Sequence, residues 1–159
     1  LALQTVRDRF NEALGSANAG LLEVTNSETL RLGTDVVFSS GRSKLNAAGH
    51  EQLSEIVAAL NEAWQALPAD EEWVLSVEGH ADITPIRRSR FRSNRELSAA
   101  RAQSVADYLI AETVLEQADV LVASFGEFRP LDPAKTPEAF AKNRRVELRI
   151  LKRSPSKNF

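Results

Sequence analysis

The sequence predicts a mixed α/β (α+β) domain of two layers, in which helices pack on one sheet. Apolar residues recur at helical spacing between Ala47 and Leu67 and again after Ser93. Apolar and polar residues alternate at positions 73–78 and 146–150, as they do in half-buried strands. The segments follow one another as strand, helix, strand, helix, strand, strand, an order that implies helices covering one face of a sheet.

The first predicted elements are a hairpin and a long helix. Leu21 to Val24 and Leu30 to Phe38 are rich in apolar residues and flank a short polar turn, so we expect two paired strands. The helix over 47–67 has Asn46 in position to cap its first turn, and Pro68 stands just beyond its end.

The next strand is predicted to end at Gly79, which places the tetrapeptide at 79–82 at its carboxyl end. An arginine-rich loop follows. Ser93, with Glu96 three residues later, matches a capping box, so a helix is expected from there to about Glu112.

Two further strands are predicted at 120–125 and 146–150, with a proline-broken loop between them. Leu3, Val6, Phe10 and Leu14 recur at helical spacing, so we predict a linker helix in residues 1–20. The folded domain is predicted for 21–153 and a short tail for 154–159.

The composition suits one packed domain and excludes several classes of protein. Of the 159 residues, 43% are hydrophobic, and the apolar runs are far shorter than the ~20 residues needed to cross a bilayer. Cysteine is absent, which excludes disulfides, thiolate metal sites and a cysteine nucleophile.

Charge is distributed unevenly along the chain, although the net charge is only −2. Residues 47–82 contain eight acids and no Lys or Arg, whereas residues 83–101 contain six arginines and the single acid Glu96. Nucleic-acid binding normally shows a wider basic surface than one loop, so we expect no nucleic-acid partner.

Asp82 and Arg101 are the leading candidates for ligand contacts. Asp82 lies just past a strand end and Arg101 about one turn into the following helix, so both can reach one rim of the domain. A zwitterion would bind its ammonium to Asp82 and its carboxylate to Arg101. The alternative is that the two side chains pair with each other or cap the helix, because such contacts are common.

Catalysis and metal binding have little support in the sequence. His80 and Asp82 resemble part of a metal site or of a Ser-His-Asp arrangement, but two residues at this spacing do not close a tetrahedral site. No Ser lies in a G-x-S-x-G turn. We expect no enzyme activity, no cofactor and no metal, and we interpret His80 as a buried, hydrogen-bonding residue.

The arginine-rich loop suggests a second hypothesis. Arg87, Arg88, Arg90, Arg92 and Arg95 can attract an anionic polymer, or they can simply be solvated. The chain would then be an interaction domain that docks on an acidic protein or lipid surface, and the Asp82 pocket would be vestigial.

Several motifs, in order, resemble the OmpA/MotB-like peptidoglycan-binding domain. The stretch from Phe38 to about Leu151 contains Gly79-His80-Ala81-Asp82, then Asn94-Arg95-Glu96-Leu97-Ser98-Ala99-Ala100-Arg101-Ala102, and then Asn143-Arg144-Arg145-Val146. These match the family's G-H-T-D, N-x-x-L-S-x-x-R-A and N-R-R-V segments. The resemblance implies an OmpA-like βαβαββ sandwich with helices packed on a mixed sheet.

The same resemblance implies non-catalytic binding of the diaminopimelate stem peptide of peptidoglycan. Asp82 and Arg101 would hold the charged ends of diaminopimelate. Asn94, Leu97, Arg144 and Arg145 are expected nearby, and Arg87 and Arg88 would add contacts from the loop. Ala81 stands where the family usually has Thr, which implies weaker binding.

The T-P-I segment after Asp82 and the long loop before Ser93 resemble the flagellar stator B subunit more than outer-membrane lipoproteins. That likeness implies a periplasmic domain that is tethered to the inner membrane through an upstream segment. The partners of that segment in a membrane complex are then expected partners of this protein too. A homodimer is expected by the same analogy.

Overall fold

The computed structural model describes residues 22–24, 29–87 and 89–153, and this part of the chain contains one five-stranded sheet with helices. The strands are β1 (Leu22–Val24), β2 (Thr29–Gly33), β3 (Glu72–His80), β4 (Val120–Gly126) and β5 (Arg145–Arg153). The helices are α1 (Thr34–Val37), α2 (Ala47–Gln65), α3 (Asn94–Glu112) and α4 (Pro137–Asn143), with a 3₁₀ turn at Gln117–Asp119. The linker helix predicted for 1–20 and the tail at 154–159 lie outside the described residues.

The sheet is mixed, as the sequence predicts. Its strand order is β1-β2-β5-β3-β4. β3 and β4 are parallel and are joined through α3, whereas the other neighbouring pairs are antiparallel. β3 therefore lies between β4 and β5, and its carboxyl end reaches the same edge of the sheet as the end of β4.

One face of the sheet supplies the core. Leu75 and Val77 of β3 are fully buried together with Leu53, Ile56 and other apolar side chains of α2 and α3. In strands, successive side chains point to opposite faces, so the intervening residues of β3 and β5 form a second face that is polar. Within the described residues, no helix is both long enough and apolar enough to span a membrane.

Both predicted helix starts are confirmed. The Asn46 side chain accepts a hydrogen bond from the backbone N–H of Gly49 at 2.7 Å, and Ser93 accepts one from Glu96 at 3.1 Å. Each cap satisfies an N–H group that the first turn of a helix leaves unpaired. Ser93 thereby fixes where α3 begins.

Two predicted boundaries were wrong. The second strand was expected to run to Phe38, but β2 ends at Gly33 and the next four residues form α1. The proline-broken loop before the last strand contains α4, whose first residue is Pro137 and whose cap is Thr136. Proline is well suited to a first helical position because it lacks the N–H group that would be unpaired there.

Gly79 allows α3 to approach β3 closely. A Cβ atom at this position would lie 2.1 Å from the backbone oxygen of Ser98 and 2.7 Å from its carbonyl carbon. Both distances are too short for any side chain, and the obstructing atoms belong to a helix backbone that cannot rotate away. The glycine therefore sets the separation between the end of β3 and α3.

We predict that Gly79→Ala destabilises the domain by about 3 kcal/mol, at the upper end of the cost of overpacking a core. Urea unfolding measured by circular dichroism checks this. Gly33→Ala is the matched control, because a Cβ there meets nothing within 4 Å. Equal stability of the two variants would contradict the close approach.

Candidate functional site

Asp82 lies in the turn that follows β3 and is only 6% exposed. Its Oδ1 accepts a hydrogen bond from the backbone N–H of Thr84 at 2.6 Å, and its Oδ2 accepts one from Nη1 of Arg144. A buried carboxylate requires such compensation because burial removes its hydration. Asp82 is thus held in one orientation by the turn and by a cation.

Arg144 connects Asp82 to a second carboxylate. Its Nε lies 2.8 Å from Asp35 Oδ1 and its Nη2 lies 2.9 Å from Asp35 Oδ2, a two-point contact that matches the planar guanidinium. Hydrogen bonding to Asp35, and then to Asp82, raises the pKa of Arg144 although partial burial opposes this. Because the Asp35 side chain is 53% exposed, it is the more accessible carboxylate of the pair.

Arg101 does not pair with Asp82. It lies about two turns into α3, not one, and its Nε donates to the backbone oxygen of Arg42 at 2.8 Å while Nη2 donates to that of Ser39 at 3.2 Å. Its guanidinium carbon lies 5.2 Å from the centre of the Phe38 ring. Burial lowers the pKa of Arg101, but an arginine stays charged at any physiological pH.

Asn94 and Leu97, at the start of α3, lie beside Asp82 and Arg101 in the same concave surface. The Asn94 side chain donates to the backbone oxygens of Asp82 at 3.3 Å and Thr84 at 3.0 Å, so the first residue of α3 is tied to the turn after β3. Leu97 is 7% exposed and adds an apolar surface one turn further along.

These side chains line a single cleft of about 670 Å³, which we call the acid–arginine cleft. Its lining includes Asp35, Phe38, Ala81, Asp82, Arg87, Asn94, Leu97, Arg101 and Arg144. Six of the eight predicted site residues therefore meet in one place. Its wall contains two carboxylates that share Arg144, the separate guanidinium group of Arg101 and apolar side chains, which suits an aliphatic ligand with charges of both signs.

A model of the OmpA family matches residues 37–144, more than half of the chain, and this stretch holds most of the cleft. The chain belongs to the OmpA family. Among sequence relatives, motility protein B of Bacillus subtilis is 32% identical over 118 residues, which are 74% of this chain and 42% of that protein. Because the chain spans less than half of this relative, the likeness concerns one domain.

Solved structures give the same result for the fold. A putative MotB-like protein from Desulfovibrio vulgaris superposes with a TM-score of 0.75 and 26% identity, covering 95% of this chain and 96% of that one. The cell wall anchor of the type VI secretion system from Pseudomonas aeruginosa superposes with a TM-score of 0.76 and 27% identity, covering 93% and 99%. The predicted OmpA-like, MotB-like fold is therefore confirmed.

Among the described site residues that the sequence predicts for this OmpA-family domain, only Arg145 does not line the cleft. Arg88 lies outside the described residues. Arg145 is buried on the polar face of the sheet, where its Nε lies 2.8 Å from Glu147 Oε1 and its Nη2 donates to the backbone oxygen of Arg129. Arg144 and Arg145 are neighbours at the start of a strand, so their side chains leave in opposite directions.

Asp35 and Phe38 are cleft residues that the sequence did not identify. Thr34 and Asp35 directly after a glycine are typical of a helix start, and that signal could have replaced the predicted strand by α1. It would not have shown that Asp35 meets Arg144, because the two residues are 109 positions apart.

Glu78, His80 and Glu147 are the one group among the described residues that could hold a metal, with potential ligand atoms within 4.8 Å of one another. Guanidinium groups already neutralise these carboxylates. Arg145 contacts Glu147, and Arg149 lies 3.4 Å from Glu147 and 3.9 Å from Glu78. A cation would have to displace these partners and enter a positive field, so we assign the cluster a structural role.

His80 is buried, as the sequence predicts, but the predicted hydrogen bond is not formed. Neither ring nitrogen has a hydrogen-bond partner among the described residues, and Nε2 lies 3.9 Å from Glu147 Oε2. The ring stacks on Phe125 with centres 5.2 Å apart. Burial, and then the charge of Arg145, lowers the pKa of His80 to about 4, so the imidazole is neutral at pH 7.

This shift makes stability depend on pH. The unfolded chain binds a proton at His80 near its ordinary pKa of 6.5, whereas the folded chain does so only near 4, so stability falls as the pH drops through this window. Between pH 7 and pH 5 we expect His80 to account for a loss of about 2 kcal/mol.

Denaturant unfolding of wild type and His80→Gln at both pH values measures this loss. The variant is expected to lose about 2 kcal/mol less than wild type over the same interval. His50→Gln serves as the control because His50 is exposed. If wild type and His80→Gln had the same pH dependence, the buried neutral imidazole would be excluded as its source.

Proposed function

We propose that the chain binds the diaminopimelate-containing stem peptide of peptidoglycan without altering it. The observation that carries this proposal is the acid–arginine cleft, which presents Asp82, Arg101 and Leu97 in one concavity. Diaminopimelate has an ammonium and a carboxylate at each end of an aliphatic chain. Such a ligand matches a cleft that has charges of both signs and an apolar wall.

The roles of the charged residues follow from their contacts. Asp82 is held by Arg144 and the Thr84 amide, so its position is set before a ligand arrives. Asp35 shares Arg144 with it and is half exposed, so the ligand's ammonium would approach both carboxylates. The carboxylate would bind Arg101, whose Nη1 has no hydrogen-bond partner in the part of the chain that the structure describes.

Preorganisation favours this assignment. Arg101 is fixed by two backbone oxygens and by the Phe38 ring, so little side-chain freedom remains to be lost when a carboxylate binds. The same rigidity suits binding without chemistry. None of the described lining side chains is a histidine, and among them no nucleophile is paired with a base of the kind that covalent catalysis needs.

The proposed role in the cell is to anchor a membrane protein complex to the wall, as in a flagellar-type stator. The likeness to motility protein B and to a secretion-system cell wall anchor supports this role. On this proposal the domain is periplasmic, is tethered to the inner membrane through an upstream segment and works as a homodimer.

Binding to purified sacculi tests the cleft. We expect Asp82→Asn and Arg101→Ala each to weaken binding by at least about 30-fold, because removing one partner of a desolvated charge pair costs roughly 2–5 kcal/mol. Co-sedimentation with sacculi and calorimetry with free diaminopimelate provide the measurements.

Glu51→Gln is the control, since it removes one exposed negative charge outside the cleft. Circular dichroism checks that each variant is folded. Undiminished binding by both cleft variants would overturn the proposal. The acidic-surface hypothesis predicts a different result. Binding would be unchanged in Asp82→Asn but weaker at high salt and after replacement of Arg87, Arg90 and Arg92.

The non-catalytic part of the proposal has its own test. Sacculi incubated with the protein are expected to release no soluble fragments above a buffer control, measured by chromatography of the supernatant. Release that disappears in Asp82→Asn would show a wall-degrading activity and contradict this part.

A further inference from the structure

A second cleft of about 470 Å³ lies beside the first one and shares Ser40 and Gly41 with it. Its lining contains three cations and three hydroxyl groups, from Arg42, Lys44, Arg90, Ser40, Ser43 and Ser89. We call it the basic cleft. Among the residues that the structure describes, no acidic side chain lines it, in contrast to the acid–arginine cleft with Asp35 and Asp82.

The structure shows no acidic side chain of the described residues paired with these three cations. Within residues 22–24, 29–87 and 89–153, neither Arg42, Lys44 nor Arg90 forms an ion pair. All three are exposed, and the Arg90 guanidinium carbon lies 5.0 Å from the centre of the Phe91 ring. Their charges therefore add to a positive field that attracts anions.

The wall between the two clefts is a single turn held by Arg101. The backbone N–H of Arg42 donates to Ser39 at 3.0 Å, and Gly41 between them has a φ of 69°, which favours glycine. Arg101 donates to the backbone oxygens at both ends of this turn. The hydroxyl of Ser89 donates to the Gly41 oxygen at 3.2 Å, which joins the turn to the arginine-rich loop.

We propose that the basic cleft binds a second carboxylate of the same wall peptide, so that one ligand spans both clefts. This inference rests on the proposed function. A stem peptide built around diaminopimelate carries several carboxylates, and one of them would bind Nη1 of Arg101 in the first cleft. The next carboxylate along the peptide meets three unpaired cations across a wall one turn thick.

Two synthetic ligands test this proposal by calorimetry. One is alanyl-γ-glutamyl-diaminopimelate, whose glutamyl α-carboxylate is free, and the other is its α-carboxamide. Wild type is expected to bind the free acid about tenfold more tightly than the amide, because each exposed ion pair contributes little and three act together. The variant Arg42→Gln/Lys44→Gln/Arg90→Gln is expected to bind both ligands as wild type binds the amide.

Free diaminopimelate measures the contribution of the first cleft alone. We expect it to bind the triple variant and wild type equally. The charge-matched control is Lys135→Gln/Lys142→Gln/Lys152→Gln, which removes three exposed cations from outside both clefts and should behave as wild type. Equal binding of acid and amide by wild type would overturn the inference. An equal loss in the control would do so as well, because it would show a general field effect.

The failure of this inference can be distinguished from failure of the proposed function. If wild type binds free diaminopimelate and Asp82→Asn does not, the first cleft stands whatever the amide comparison shows. If wild type does not bind diaminopimelate, the proposed function and this inference are both wrong. If the basic cleft binds oligonucleotides or anionic vesicles more tightly than the free acid, its ligand is not the wall peptide and the inference is wrong.

Discussion

The ion pairs of Arg144 are the interaction on which the site depends. This residue stands between α4 and β5, yet its guanidinium contacts Asp35 on α1 and Asp82 after β3. Its backbone oxygen also accepts a hydrogen bond from the N–H of Thr34 at 3.1 Å. Three segments far apart in sequence are thereby fixed around one cleft. Without Arg144, a carboxylate that is 6% exposed would lack a counter-charge, and burying such a charge is costly.

The second constraint is the contact between β3 and α3 at Gly79. Because that glycine has no side chain, the strand that precedes Asp82 and the helix carrying Arg101 approach to backbone contact. Asn94 then ties the start of the helix to the turn after the strand. Asp82 and Arg101 thus come from adjacent elements but do not pair with each other, since Asp82 contacts Arg144 and Arg101 contacts backbone oxygens. That separation leaves room for a ligand that satisfies both.

Local signals explain which parts of the fold could be predicted from sequence. The caps at Asn46 and Ser93 and the alternation in β3 are short-range features, and each was placed correctly. α1 has only four residues, too few to show a helical period, so it was read as an extension of β2. The family motif implies that Arg145 lies near the ligand together with Arg144, whereas strand geometry sends the two side chains to opposite faces.

Charge patterning finally accounts for the kind of ligand that the domain suits. The switch from acidic to basic sequence after Asp82 falls in the structure at the rim of both clefts, where Arg42 and Lys44 from an earlier loop join the arginines. A uniformly basic surface would attract any polyanion. In the first cleft, however, two carboxylates stand beside guanidinium groups. They repel a ligand that carries only negative charge, and this repulsion offsets part of the attraction that the cations at the rim provide. A peptide with an ammonium near several carboxylates meets complementary charge throughout, and this asymmetry is a physical basis for selecting it.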